Sequence, residues 1–281
     1  APRLKYKLIA TDLDGTLLND ELTVSERNLL AIEKFRAAGG IFTIPTGRMP
    51  SSVKRYAEML GLDAHPVKMI CNIGGIIVDS ATMETERLAS VSPQSASALL
   101  RYALPRVEFG LMYYASGAIA SEMSEAVEIY FSAIGLTPQS VDDLPKRAEA
   151  FDEPIVKIVL ITDEREVRGL TESLAAAFDD MQFIQSTAPL LQRLRAVRPE
   201  LNPALIECVA RGADKGTGLK AVADYYGLDA SEVIAIGDSY NDVAMIKAAG
   251  MGVATANAPE PIKNLADYVT ATNNADGVAK A

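Results

Sequence analysis

The stretch Lys7-Leu8-Ile9-Ala10-Thr11-Asp12-Leu13-Asp14-Gly15-Thr16 constrains the fold more than any other part of the chain. A short apolar run reads as a β-strand, and it leads directly into two carboxylates one residue apart and then a glycine that lets the chain turn sharply away. In open α/β sheets, ligands bind beyond the carboxyl ends of the strands. The stretch therefore predicts an α/β fold whose first strand delivers Asp12 and Asp14 to a crevice, on the same side if strand alternation persists. Two carboxylates about 4 Å apart repel by about 4 kcal/mol at an effective dielectric of about 20, so a cation or a retained proton has to accompany them. Asp-x-Asp-Gly also opens calcium loops and Asx turns. The calcium loop fails on spacing, because its glycine position holds Leu17 and its closing glutamate position holds Thr23. The Asx turn stays open.

Beyond this stretch, strands and helices alternate. Thr23-Val24-Ser25-Glu26 has the form of a capping box, and Leu29, Leu30, Ile32 and Phe35 give the following helix an apolar face that ends at Gly39-Gly40. Ile41-Phe42-Thr43-Ile44 reads as a second strand that ends in Pro45-Thr46-Gly47-Arg48, ahead of a helix from about Ser51 to Leu60. A hydroxyl and a glycine amide before a helix N-terminus form a ready anion site, although Thr-Gly-Arg alone is also a plain turn. A third strand, Met69-Ile70-Cys71, leads through Asn72-Ile73-Gly74-Gly75 to a hairpin partner, Ile76-Ile77-Val78. His65, the only histidine, precedes it in a loop and reads as a surface residue. One histidine excludes a multi-histidine metal site.

Residues 82–211 have a different texture. A helix starts at Ser92-Pro93, a hairpin spans Phe109 to Tyr114 with Ser116-Gly117, and Ser124 to Ile134 reads as helical. An apolar strand over Ile155 to Ile161 and a helix over Glu164 to Phe178 follow, then strands around Gln182 to Gln185, Leu190 to Val197 and Leu205 to Val209. None of these strands ends in a polar tip of the first kind. Residues 82–211 are therefore expected to be an inserted α+β domain, between residues 1–81 and 212–281 of the core. Arg193, Arg195 and Arg198 are a candidate basic face or a solvated strand edge.

The core resumes at Lys215-Gly216-Thr217-Gly218, which opens a helix reaching about Tyr226. Gly216-x-Gly218-x-x-Ala221 has the outline of a dinucleotide fingerprint, but no apolar strand leads immediately into it. Lys215 reads instead as a phosphate-directed point charge. Val233 to Gly237 is then a second strand with an acidic tip, Asp238-Ser239-Tyr240-Asn241-Asp242. Gly252-Val253-Ala254, Asn257-Ala258-Pro259, Tyr268-Val269-Thr270 and Asp276-Gly277-Val278-Ala279 supply two more strands around a helix.

Charge and composition narrow the partners. A net charge of -10 opposes nucleic acid and anionic membranes, while leaving room for a small phosphorylated ligand in a local basic pocket. Cys71 and Cys208 lie in apolar runs and read as buried hydrophobes, so no disulfide framework is expected. With no apolar leader-like region and no run of about 18 apolar residues, the reducing cytoplasm is the expected location.

In chain order, Asp12-x-Asp14-Gly15-Thr16, Thr46-Gly47-Arg48, Lys215-Gly216 and Gly237-Asp238-x-x-Asn241-Asp242 resemble the four motifs of the haloacid dehalogenase superfamily. Val233 to Ala279 resembles its Cof-type sugar-phosphate phosphatases with a type IIB cap. The resemblance implies a Rossmann-like core with a mainly parallel sheet, an inserted α+β cap of type C2B that closes over the substrate, and magnesium-dependent hydrolysis of a small phosphorylated metabolite, a sugar phosphate above all. It implies that Asp12 attacks phosphorus to give an aspartyl-phosphate and that Asp14 serves as acid and base. Mg2+ would be held by Asp12, Asp238 and the backbone carbonyl of Asp14. The Leu13 and Gly47 amides, Thr46, Lys215 and Asn241 would hold the phosphoryl oxygens, with Asp242 as support and Arg48 as an ion-pair partner. A phosphomutase or phosphotransferase acting on sugar phosphates is the alternative enzyme, since related type IIB proteins include phosphomannomutases. A non-catalytic metabolite-binding protein is the third reading, against which the intact motifs speak. Relatives often carry Asn-Gly-Ala where this chain has Ile73-Gly74-Gly75, a departure near the cap hinge.

Overall fold

Leu8 and Ala10 are fully buried, and the backbone around them pairs on both sides, which makes β1 (Leu8–Thr11) an interior strand. The computed structural model describes residues 4–186 and 189–281. After β1 come α1 (Glu26–Ala37), β2 (Ile41–Thr43), α2 (Pro50–Met59), β3 (Lys68–Cys71), β4 (Ile76–Asp79) and β5 (Thr85–Leu88). The middle of the chain forms α3 (Pro93–Ala103), β6 (Phe109–Tyr114), β7 (Gly117–Ala120), α4 (Glu125–Ile134), α5 (Leu144–Glu149), β8 (Lys157–Asp163), α6 (Glu164–Ala177), β9 (Met181–Ser186) and β10 (Pro203–Ala210). The last part adds α7 (Lys215–Tyr225), β11 (Val233–Gly237), α8 (Val243–Ala248), β12 (Met251–Thr255), α9 (Glu260–Leu265), β13 (Tyr268–Thr270) and α10 (Gly277–Lys280).

Two compact units result. The first runs to Leu88 and resumes at Ala213; the second is Ala89–Gly212. In the first unit a parallel sheet has the order β13-β12-β11-β1-β2. Non-sequential neighbours of this kind require helical crossovers, and α1, α7, α8 and α9 supply helices between the strands. Leu8, Ala10, Val233 and Ala235 pack on one face against Leu219, Val222 and Ala223 of α7 and Met245 of α8. Ile9, Ile234 and Ile236 alternate to the opposite face, where an apolar cavity of about 120 Å³ lies between them and Ala31, Phe35 and Val278. A three-stranded antiparallel sheet, β3-β4-β5, belongs to the same unit. It joins the tip of β2 through the Ile70–Pro45 bridge.

The second unit is one antiparallel sheet of order β7-β6-β8-β10-β9 with helices against it. Met112, Ile158, Leu160, Ile206 and Cys208 form its core with Leu99 and Leu100 of α3 and Leu174 of α6. The fold is thus the expected α/β core with an inserted α+β domain. No helix among the described residues is long and apolar enough to cross a membrane.

Three local expectations are corrected. Residues 189–196 are 3-10 turns rather than a strand: Leu191 and Leu194, three apart, are both buried, which is the periodicity of that helix, and Arg193 and Arg195 point outward. The start of α1 is capped by Ser25, whose hydroxyl accepts the Asn28 amide, while Thr23 closes a turn on Asn19; Leu30 is exposed. Thr85–Leu88, read with the insertion from sequence, pairs with β4 in the first unit. His65 is exposed, and Cys71 and Cys208 are buried and free.

Candidate active site

The carboxyl ends of β1, β2 and β11 converge because β1 lies between the other two. Asp12 follows β1 directly and is nearly buried, and its amide donates to the Ile236 carbonyl of β11 at 3.0 Å. The next five residues form a tight turn, closed by the Leu17 amide on the Asp12 carbonyl and the Leu18 amide on the Leu13 carbonyl. Strand alternation therefore ends at Asp12. Gly15 has φ +74°, and a Cβ there would lie 2.2 Å from Asp238 Oδ2. Glycine is needed both for the conformation and for the approach of that carboxylate.

The turn separates the two aspartates of the first motif. Asp12 joins Asp238 and Asp242, with one carboxylate oxygen of each lying within 4.8 Å of the others. Asp14 turns to Arg48, which donates from Nε and Nη2 at 2.7 Å each in a bidentate pair. Arg48 is fixed in turn by the Ser52 hydroxyl at 3.0 Å and by the face of Tyr56, and its amide donates to Thr46 Oγ1 at 3.1 Å. Thr46 is buried at the tip of β2, held by its own amide on the Ile70 carbonyl.

Lys215 is the first residue of α7 and is 0% exposed. Its Nζ donates to Asp12 Oδ1 at 2.9 Å and to Asp242 Oδ1 at 2.7 Å. The glycines after it set this depth: a Cβ on Gly216 would meet the Ala244 carbonyl at 2.7 Å, and one on Gly218 would meet Ile70 at 2.7 Å. Their spacing serves helix packing, and the dinucleotide outline has no further content. Both oxygens of Asp242 are engaged, since its Oδ2 also accepts the Asp238 and Ser239 amides at 2.9 and 3.0 Å. Asp238 accepts the Thr16 hydroxyl at 2.7 Å. Asn241 Oδ1 accepts the Ser239 hydroxyl, and the Leu13 amide donates to Asp12 Oδ1 at 2.9 Å.

Electrostatics at the centre is dominated by crowded acid. Burial, then the charge of Asp242, hold the Asp12 carboxyl well above the usual carboxylate range, and Lys215 only partly offsets them. Burial and Asp242 likewise push Asp238 up to about 7. Lys215 stays charged: burial works against its ammonium, and the carboxylates of Asp12 and Asp242 outweigh it. Three carboxylates against one ammonium leave an excess of negative charge, all of it on hard oxygen donors, which is the chemistry that a divalent cation such as Mg2+ satisfies. With both Asp242 oxygens already engaged, Asp12 and Asp238 are the donors that fit such an ion.

Sequence reading did not assign a role to Asn257 or Asn273. Asn257 Nδ2 donates to the Gly15 carbonyl at 2.8 Å, and the Asn273 side chain donates to the Leu18 carbonyl at 3.1 Å, both inside the segment that follows the nucleophile candidate.

The chain is similar to known proteins. The sequence matches the family described as haloacid dehalogenase-like hydrolase over residues 9–281. The 5-amino-6-(5-phospho-D-ribitylamino)uracil phosphatase YcsE of Bacillus subtilis is 31% identical, over 98% of this chain and 94% of its own. The crystal structure of a haloacid dehalogenase-like hydrolase from Bacteroides thetaiotaomicron is 27% identical with a TM-score of 0.77, covering 98% of this chain and 97% of that one. A subclass IIB sugar phosphatase of the same superfamily, 21% identical over 98% of this chain and 96% of its own, shares the fold with a TM-score of 0.78.

Proposed function

The chain belongs to the haloacid dehalogenase-like hydrolases and is a phosphoric monoester hydrolase, and from that premise we propose that it hydrolyses a small phosphorylated metabolite, a sugar or polyol phosphate, through an aspartyl-phosphate on Asp12. The observation that carries the proposal is the Asp12 carboxylate at the tip of β1, oriented through Oδ1 by the Leu13 amide and Lys215.

In the first step Asp12 Oδ2 attacks phosphorus, the bond from phosphorus to the ester oxygen breaks, and the leaving alkoxide takes a proton from the Asp14 carboxyl. In the second, water attacks the same phosphorus while giving a proton back to Asp14, the bond to Asp12 breaks, and inorganic phosphate leaves. Mg2+, held by Asp12, Asp238 and the Asp14 backbone carbonyl, would neutralise charge on the phosphoryl oxygens. The Gly47 amide, Thr46, Lys215 and Asn241 are the chain's own donors to those oxygens, each typically worth about 3 kcal/mol when preorganised, and the Leu13 amide joins them by exchanging its bond to Asp12 Oδ1 for one to a phosphoryl oxygen. Lys215 favours the ionised form of Asp12, against burial and Asp242, and holds it in place, and Asp242 fixes Lys215. Arg48 aims the Asp14 carboxyl. The net charge of -10 and the two buried free cysteines fit a protein acting on freely diffusing metabolites, and the cytoplasm is its proposed location.

Phosphate release from hexose and pentose phosphates, a phosphorylated ribitylamino-pyrimidine and p-nitrophenyl phosphate, with Mg2+ or EDTA, tests the proposal. Metal-dependent turnover in the wild type and none in Asp12→Asn is the expected outcome. Wild-type activity in Asp12→Asn would exclude the aspartyl intermediate.

A further inference from the structure

The Asn-Ala-Pro and Thr-Asn-Asn segments near the end of the chain take no part in the chemistry above, yet both reach the catalytic turn. The turn closes on its own Asp12 and Leu13 carbonyls. The Gly15 carbonyl is held from outside it, by Asn257 Nδ2 at 2.8 Å. Asn257 Oδ1 accepts the Asn273 amide at 3.0 Å, and the buried Asn273 side chain donates to the Leu18 carbonyl at 3.1 Å and to Asp20 Oδ1 at 3.0 Å. Both ends of the segment after the nucleophile are thus tied to one brace. Fixing the Gly15 carbonyl fixes the plane of the Gly15–Thr16 peptide, and with it the Thr16 hydroxyl that donates to Asp238 at 2.7 Å.

We infer that Asn257 is a positioning residue for phosphoryl transfer, acting through the Gly15 carbonyl on the turn that carries Asp12, Leu13 and Asp14, with Asn273 as its brace; the inference rests on the function proposed above. Asn257 is exposed, so its replacement leaves the core intact. Displacement of reacting groups by about an ångström costs up to about a hundredfold in rate, and a turn released at one carbonyl falls within that range.

The test uses the full chain. Asn257→Ala removes both of its bonds, whereas Asn257→Asp keeps the acceptor for Asn273 and turns a carboxylate oxygen, which repels the Gly15 carbonyl, to where the donor was. Both variants are expected to lower kcat for p-nitrophenyl phosphate at least about tenfold with KM within about twofold, and to melt within about 2 °C of the wild type without metal. Asn274→Ala, which breaks contacts to Asp20 alone, is expected to leave kcat within about twofold. Unchanged kcat in Asn257→Ala overturns the inference, as does wild-type kcat in Asn257→Asp or a loss that tracks melting temperature. Asp12→Asn, run in parallel, separates the two claims: if it stays active, the aspartyl-phosphate reading fails by itself. The inference is then decided by the melting shift produced by Mg2+ alone, which it expects to be at least about halved in Asn257→Ala and which, if unchanged, refutes it.

Discussion

Replacing Lys215 with methionine tests the electrostatic account of the centre most directly. The Nζ lies 2.9 Å from Asp12 Oδ1 and 2.7 Å from Asp242 Oδ1, with Lys215 and Asp242 fully buried and Asp12 nearly so. At an effective dielectric of about 20, each pair attracts by about 6 kcal/mol gross. Desolvation of the three charges consumes most of this, and removing one partner of a buried pair typically costs about 3 to 5 kcal/mol net. Methionine nearly fills the volume, so cavity formation adds little. A loss of about 4 kcal/mol corresponds to a urea midpoint lower by about 1.5 to 2 M. The raised pKa of Lys215 makes its contribution complete at neutral pH, to be lost only as pH rises through that raised value. In the variant, Asp12 loses the one charge that opposes its burial and takes up a proton more readily, so the deficit should be smaller at pH 5 than at pH 8. Metal-free urea unfolding followed by far-ultraviolet circular dichroism at both pH values measures this. Where two transitions resolve, the unit made by Ala89–Gly212 should keep its midpoint. A shift below about 0.5 M at both pH values would refute the reasoning.

Gly15→Ala should abolish turnover and cost about 1 to 2 kcal/mol, since φ is +74° and the new Cβ would lie 2.2 Å from Asp238 Oδ2; a melting curve and a phosphate-release assay read both effects. The metal-free protein should lose stability as pH rises from about 4 to about 7, because Asp238, pushed up to about 7, contributes fully below its unfolded value near 3.9 and ceases to as it ionises. Mg2+ should reverse the trend, and a flat profile across that window would contradict the assignment. Ala31→Leu, which directs methyl groups into the apolar cavity of about 120 Å³, should raise stability by about 1 kcal/mol, to be checked by thermal melting with activity unchanged.

The site was legible where chemistry and local geometry coincide. A carboxylate at the end of an apolar strand announces itself, so Asp12, Asp238 and the tip at Thr46 could be placed from sequence. The divergence of Asp14 from Asp12 could not, because it depends on a turn whose closing bonds replace strand alternation. Residues 189–196 were misread for a related reason: leucines three apart among polar residues fit a 3-10 turn, a structure too short to show a repeat. Nothing local marks Asn257 either. Its partner, Gly15, lies 242 positions away, and only the assembled sheet brings them together. Ile73, where the resemblance implies asparagine, takes a left-handed conformation at φ +61°, which a β-branched residue adopts at a cost that asparagine largely avoids.

The order β13-β12-β11-β1-β2 also bears on how the protein is made. The strand that carries Asp12 leaves the ribosome before the insertion does, yet one of its two neighbours, β11, and the lysine, the second acidic tip and the asparagine brace all follow the insertion. Ala89–Gly212 closes its own sheet from consecutive sequence and can fold while the rest is still being translated. Until β11 arrives, β1 has one flank unpaired and its aspartate has no counter-charge. Competence at this centre is therefore a property of the finished polypeptide, and interrupted synthesis leaves an inert fragment with an exposed strand edge, a form that chaperones and proteases recognise.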